Sequence, residues 1–427
     1  MDRTQAPPVK EPEEFRMKPP RQTVFPNGIP LQIVEAGRQE VVRMDLLFAG
    51  GRWQQTQKLQ ALFANRMLRE GTRRFTAAEI AEKLDYYGAW LELSSSTEYA
   101  YVTLYSLNKY FSRTLEILES VVKEPVFPEK ELEVILRTNM QRYRINSSKV
   151  DFWSQRQLLA ALFGPGHPCG RPVTEEDYQQ INVPLIRAFY DRYYHSDNCT
   201  IFLSGFVTDE LIRCVEERFG NASFGNTGQP AEKLRFPVST DPAKRFFIER
   251  PEAVQNSVKM GMLSVRRQDP DYLKLRVLVT LLGGYFGSRL MSNIREEKGY
   301  TYGISAGMGF YPESGMLMIQ TETAPEYVEP LIGEVYRETE RLQQELVPVE
   351  ELTVVRNYML GEMCRNYESA FSLADAWMFI YTSGLDPDYF VRATRAIRET
   401  TPSELRELAC RYLCKEDLKE VISGKKI

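Results

Sequence analysis

The chain has 427 residues, 43% hydrophobic and 26% charged, with 54 Lys and Arg against 58 Asp and Glu for a net charge of −4. That length exceeds one ordinary core and predicts two or more globular domains, and the charge balance excludes the basic footprint of a nucleic-acid partner. No apolar run approaches the roughly 18 residues that cross a bilayer, so no membrane span is expected.

Residues 1–21, MDRTQAPPVKEPEEFRMKPPR, are polar, charged and proline-rich. They lack the apolar core of a secretory signal and read as a disordered arm on a cytoplasmic protein. An alternating strand follows in RMDLLFAGG (Arg43–Gly51), then a helix in QALFANRMLREGT (Gln60–Thr72). This helix has an apolar stripe of Leu59, Leu62, Phe63 and Met67 and a glycine stop. Its helical part carries no group that binds a metal or moves a proton at neutral pH. The pattern Tyr110–Met140 predicts long helices, with Pro128 starting the second. His167 in GPGHPCG and His195 in YYHSDN are the only histidines; both fall in turn-forming stretches and read as surface or turn residues. Helical VPLIRAFYDRYY with Pro184 and a short strand before Ser204-Gly205 close the first half.

Glycine, proline and charge in FGNTGQPAEKLRF mark a linker. The expected organisation is a first domain over 22–228, a linker over 229–240 and a second domain over 241–427. The second half repeats the order of the first about 210 to 220 residues later. VKMGMLSVRR answers RMDLLFAGG, Pro348 answers Pro128, Pro402 answers Pro184, and Ser423-Gly424 answers Ser204-Gly205. The fold class expected is α/β (α+β), two homologous domains, each a mainly antiparallel sheet packed with helices.

In LLGGYFGSRLMSNIREEKGYTYGIS (Leu281–Ser305), Gly283, Gly284 and Gly287 interrupt a helical pattern, and Lys298-Gly299 ends a second helix. The spacing is not that of a dinucleotide loop. Strand alternation then places Tyr300, Tyr302, Ile304, Ala306, Met308 and Phe310 on one face, with Thr301, Gly303, Ser305, Gly307 and Gly309 opposite. That small-residue side admits a ligand backbone or a second layer. On residue chemistry alone, Arg295 would meet a helix dipole and Tyr302 would be core. The six cysteines form no CxxC pair; Cys410 and Cys414, at i and i+4, read as buried thiols rather than a disulfide or metal site.

Ser288-Arg289-Leu290, Arg295-Glu296-Glu297-Lys298-Gly299 and Tyr302 make the chain resemble, over nearly its whole length, the pitrilysin and insulinase family of inverted zincins. The resemblance implies two homologous halves and, in active members, an HxxEH helix whose histidines hold zinc while the glutamate serves as base. Those positions fall here on Leu62, Asn65 and Arg66, and the further glutamate ligand would fall near Gln141 and Arg142. The implied site is degenerate, with no metal or cofactor in this chain. The same resemblance gives Arg295 and Tyr302 the roles of binding substrate backbone and donating to the oxyanion at the scissile carbonyl.

Half-length members of that family work as pairs. The implied function is therefore a zinc-free subunit that completes, in trans, the zinc site of a homologous HxxEH-bearing partner cleaving unfolded peptide. Glu92-Leu93 stand where the family has Asn-Ala on its peptide-binding edge, a departure that argues against strand addition there. The alternatives are a structural subunit of a larger complex or an autonomous peptide-binding protein.

Overall fold

The computed structural model describes Thr4, residues 17–228 and residues 231–426. Two sheets hold the strands. The first contains β1 (Arg21–Val24), β2 (Pro30–Glu35), β3 (Val41–Phe48), β4 (Trp90–Ser95), β5 (Ala100–Leu107) and β6 (Cys199–Gly205). The second contains β7 (Arg245–Glu249), β8 (Asn256–Ser264), β9 (Thr301–Phe310), β10 (Gly315–Thr323) and β11 (Lys419–Gly424). Their orders are β1-β2-β6-β3-β5-β4 and β7-β11-β8-β10-β9. Without β1, the two orders are the same, which is the repeat seen in the sequence expressed as topology. Each sheet is antiparallel apart from one pair, β2 with β6 and β7 with β11, in which the last strand of a half runs parallel to an early one.

The helix starts follow local chemistry. Pro128 and Pro348 are the N-caps of Glu129–Ser147 and Val349–Asn366. Pro184 and Pro402 lie in the first turns of Val183–Tyr193 and Pro402–Tyr412, where a missing N–H costs nothing. Asn182 caps the former through Leu185 N, and Thr401 with Glu404 forms a capping box on the latter. Both closing strands end at a glycine with positive φ, Gly205 at 111° and Gly424 at 157°. A Cβ on Gly205 would lie 2.4 Å from Val41 O, so only glycine fits there.

The halves interlock. One face of the first sheet packs Met44, Leu46 and Phe48 against Phe63 and Phe111 of its own half. Its other face, with Val34, Leu47 and Phe202, joins the core of the second half beneath helix Ala370–Ser383. Reciprocally, helix Val150–Phe163 of the first half covers β8 and β11, placing Leu158, Leu162 and Phe163 against Met316 and Val421. Polar pairs pin both crossings: Thr200 Oγ1 with Tyr381 OH at 2.7 Å and Arg43 Nη1 with Asp375 at 2.7 Å on one side, Ser154 Oγ with Ser257 Oγ at 2.8 Å and Lys259 Nζ with Asp151 at 2.8 Å on the other.

Most of the arm expected over 1–21 lies outside the described residues, and β1 already opens at Arg21. The described part of the linker, 231–240, has no helix or strand but is not a loose tether. Ser239 N donates to Phe163 O at 3.1 Å, and Arg235 pairs with Glu98 at 3.5 Å.

Candidate functional site

The helix Gln60–Arg66 begins after Leu59, whose left-handed φ of 73° is unusual for a non-glycine residue. The helix rests on β4, β5 and helix Val183–Tyr193. Leu62 is half-buried against the first core. Asn65 is fully buried, donates Nδ2–H to Tyr101 O at 3.2 Å, and leaves its Oδ1 without a hydrogen-bond partner among the described residues. Arg66 donates to Asn139 Oδ1 on helix Glu129–Ser147. Burial first, then the neighbouring Arg142 charge, pulls the Arg66 pKa below that of a free arginine.

Of the expected positions Gln141 and Arg142, Gln141 is exposed while the Arg142 charge acts on Arg66, and the residue that bonds Arg66 from that helix is Asn139. Register explains it, because Asn139 lies near the helix face that packs inward while Gln141 points away. These residues do not fit zinc: Leu62 has no donor atom, Asn65 offers a single neutral amide oxygen, and the Arg66 and Arg142 guanidinium groups repel a divalent cation. Among the described residues no group of three His, Cys, Asp or Glu side chains is gathered to hold a metal. Accordingly, the chain dialysed against zinc and then against plain buffer is expected to retain no stoichiometric metal. Plasma mass spectrometry checks this, and one zinc per chain would contradict it.

Arg295 and Tyr302 come together, by a route the alternation did not predict. Thr321 of β10 pairs with Ile304 and Thr323 pairs with Thr301, so the one residue between them on β10, Glu322, opposes two on β9, Tyr302 and Gly303. The extra residue is a β-bulge, and it breaks the alternation. Tyr302 is 91% exposed instead of following Ile304 and Ala306 into the core, which overturns its expected face. Arg295 lies in a helical turn, Met291–Glu297, that ends at Lys298 before Gly299 with φ 68°. Its Nε donates to Tyr302 O at 3.0 Å, and its guanidinium lies over the exposed Phe286 ring at 4.7 Å. Among the described residues only the Glu296 carboxylate comes within 4 Å, at 3.9 Å from Nη1. The fork is therefore anchored by one nitrogen and keeps its terminal donors for another group.

β9 is the edge of its sheet, and Gly303, Ser305 and Gly307 are exposed on it. Among the described residues nothing stands within 4 Å of a Cβ built on Gly303 or Gly307, so that side is open to a second backbone. Glu92, likewise exposed, lies on β4, the corresponding edge of the first sheet.

Both histidines are buried, His167 at 0% and His195 at 1% exposure, against the surface reading. His167 stacks on Phe163, its Nδ1 accepts from Cys169 N at 3.1 Å, and its Nε2 donates to Glu313 Oε2 at 3.2 Å. The Glu313 carboxylate also accepts from Trp53 Nε1 at 3.0 Å and Phe236 N at 3.1 Å. This clasp joins the first half, the linker and the β9–β10 turn, and nothing in the spacing of these residues announced it.

Burial outweighs Glu313 and pushes the His167 pKa down, and burial does the same to His195. The unfolded chain then binds more protons than the folded one below the ordinary histidine pKa, so stability falls as pH drops. The melting temperature should decline between about pH 7 and about pH 5, and less steeply in His167→Gln. Parallel slopes for the two proteins would contradict this assignment.

Two interlocked α/β halves, each a mainly antiparallel sheet packed with helices, define a peptidase-like fold. Comparison with known proteins agrees. The family model described as insulinase (peptidase family M16) matches residues 34–173, and the model described as the peptidase M16 inactive domain matches residues 180–359. The chain belongs to the M16 peptidase family. It is 26% identical over 312 residues, 73% of this chain and 75% of the other, to a *Bacillus subtilis* protein named uncharacterized zinc protease YmxG. It is 24% identical over 377 residues, 86% of this chain and 85% of the other, to a *Helicobacter pylori* protein named non-peptidase homolog YmxG. Its fold matches the crystal structure of a peptidase M16 inactive domain from *Pseudomonas fluorescens*, with a TM-score of 0.86 at 23% identity, covering 96% of this chain and 98% of that one.

Proposed function

We propose that this chain is the zinc-free subunit of a two-chain zinc metallopeptidase. In this reading it lends Arg295 and Tyr302 to the HxxEH site of a homologous partner that holds the zinc, and the substrate is unfolded peptide. The observation that carries the reading is the exposed pair itself: Arg295 anchored through Nε to the Tyr302 carbonyl, with its terminal donors unspent and the Tyr302 phenol held out by a bulge. An ordinary structural arginine would bury its fork on a carboxylate, and an ordinary strand tyrosine would follow the core face. A permanent cation and a neutral phenol donor both suit negative charge developing on a peptide carbonyl oxygen.

The six cysteines are all free thiols, which supports a reducing, cytoplasmic location. Co-expression with an HxxEH-bearing homologous chain tests the reading: peptide cleavage should require both chains, and a partner equally active alone would sink it. The name of the *Helicobacter pylori* relative, a non-peptidase homolog, favours a second reading as a structural subunit or peptide-binding protein without chemistry. Under that reading the pair would form, yet changes at Arg295 and Tyr302 would leave any cleavage untouched.

A further inference from the structure

The bulge that presents Tyr302 is held by threonine hydroxyls, and backbone accounting shows how. A residue pushed out of a ladder leaves N–H and C=O groups that need other partners. Here the Gly303 N–H donates to Thr301 Oγ1 at 3.1 Å, and Gly303 O accepts from Thr321 Oγ1 at 2.8 Å. The Tyr302 carbonyl is taken by Arg295 Nε. The two hydroxyls are 2.8 Å apart, and the Thr301 hydroxyl donates on to Glu322 O at 2.7 Å. Thr323, fully buried, closes the far end by donating to Tyr300 O at 2.5 Å. Each hydroxyl has one proton to give, so with Thr301 donating to Glu322 O the Thr321 proton goes to Gly303 O or to Thr301 Oγ1, one at a time, and either choice ties Thr321 to the bulge.

We infer that Thr301 and Thr321 are positioning residues for the Arg295–Tyr302 pair, setting the bulge that turns the phenol outward and leaves the Tyr302 carbonyl free to orient the guanidinium. This rests on the reading of the pair as oxyanion donors, but the geometry it concerns is measurable in the lone chain. Neither threonine touches the groups that would meet substrate; they act through the backbone between them. Thr321 is 8% exposed, and valine has nearly its shape, so Thr321→Val removes the hydroxyl without opening a cavity. Thr321→Ser keeps the hydroxyl and is the rescue.

Nitration of tyrosines in the lone chain, mapped by peptide mass spectrometry, reads whether residue 302 stands out. Loss of one such hydrogen bond shifts the equilibrium constant between bulged and regular ladder about fivefold. Tyr302 nitration should therefore slow, by at most about that factor, in Thr321→Val and Thr301→Val and recover in Thr321→Ser. Solvent exchange of the Arg295 Nε–H, followed by nitrogen-15 NMR of arginine-labelled protein, should quicken in the valine variants alone. Unchanged nitration and exchange in both valine variants, each shown folded by circular dichroism, would overturn the inference. So would a Thr321→Ser variant that behaves like Thr321→Val.

In the two-chain enzyme the valine variants should lower kcat with KM nearly unchanged. If Arg295→Ala leaves that enzyme's activity intact, the oxyanion reading fails. The lone-chain readouts still decide whether the threonines hold the bulge.

Discussion

Arg295→Ala is expected to lower kcat of the proposed two-chain peptidase by about 10²-fold or more, the usual cost of one oxyanion donor. The fold should hardly register the change. Within the described residues the side chain offers the protein one hydrogen bond, to the Tyr302 carbonyl, one ring contact, with Phe286, and one long ion pair, with Glu296 at 3.9 Å. Surface changes of that kind are commonly within about 0.5 kcal/mol. Arg295→Lys sharpens the test because it keeps the charge and loses the fork. One ammonium cannot both anchor on Tyr302 O and present two outward donors, so most of the loss should persist. Tyr302→Phe removes only a hydroxyl from a ring already 91% exposed and should lower kcat without moving the melting temperature. Initial rates on a quenched fluorogenic peptide, with the partner saturating, give these numbers. If cleavage proceeds at the wild-type rate in Arg295→Ala, the pair is not part of the chemistry and the structural-subunit reading stands.

The fold was legible because its signals are local and repeated. Pro128 and Pro348, Pro184 and Pro402, and the two Ser-Gly strand ends each mark the same event in each half. Periodicity also located the helix that carries Leu62, Asn65 and Arg66, which forms regardless of what its side chains can bind. The bulge was not legible. Strict period-2 reading put Tyr302 with Ile304, and an inserted residue depends on the partner strand's register, which one strand's pattern does not contain. Threonine hydroxyls that hold a bulge look like ordinary β-branched strand residues until their partners are known. Burial of His167 was equally hidden, because it depends on Trp53, Phe236 and Glu313 arriving from distant segments.

Removing that convergence point has the largest expected cost to stability. In Glu313→Ala, the Trp53 indole N–H, the Phe236 amide and the His167 imidazole N–H each lose their acceptor at once. The three donors lie among Phe163, Tyr311 and one another's rings, where water has little room to replace the carboxylate. An orphaned buried donor costs about 1–3 kcal/mol, so the loss should reach about 3 kcal/mol or more, read as a lower urea midpoint. Glu313→Gln should cost less, but not nothing. Its oxygen can still serve Trp53 and Phe236, while its NH2 meets the Nε2–H of His167, whose tautomer is set by the Cys169 amide donating to Nδ1. A Trp53→Phe change in the Glu313→Ala background should then add little, since the acceptor it served is gone, whereas two independent contacts would add in full. Glu313 lies in the turn after β9, and Tyr302 lies at the other end of that strand. The Glu313 variants should therefore loosen the joint between the halves while leaving Tyr302 nitration unchanged, which separates the clasp from the bulge as distinct supports of the same strand.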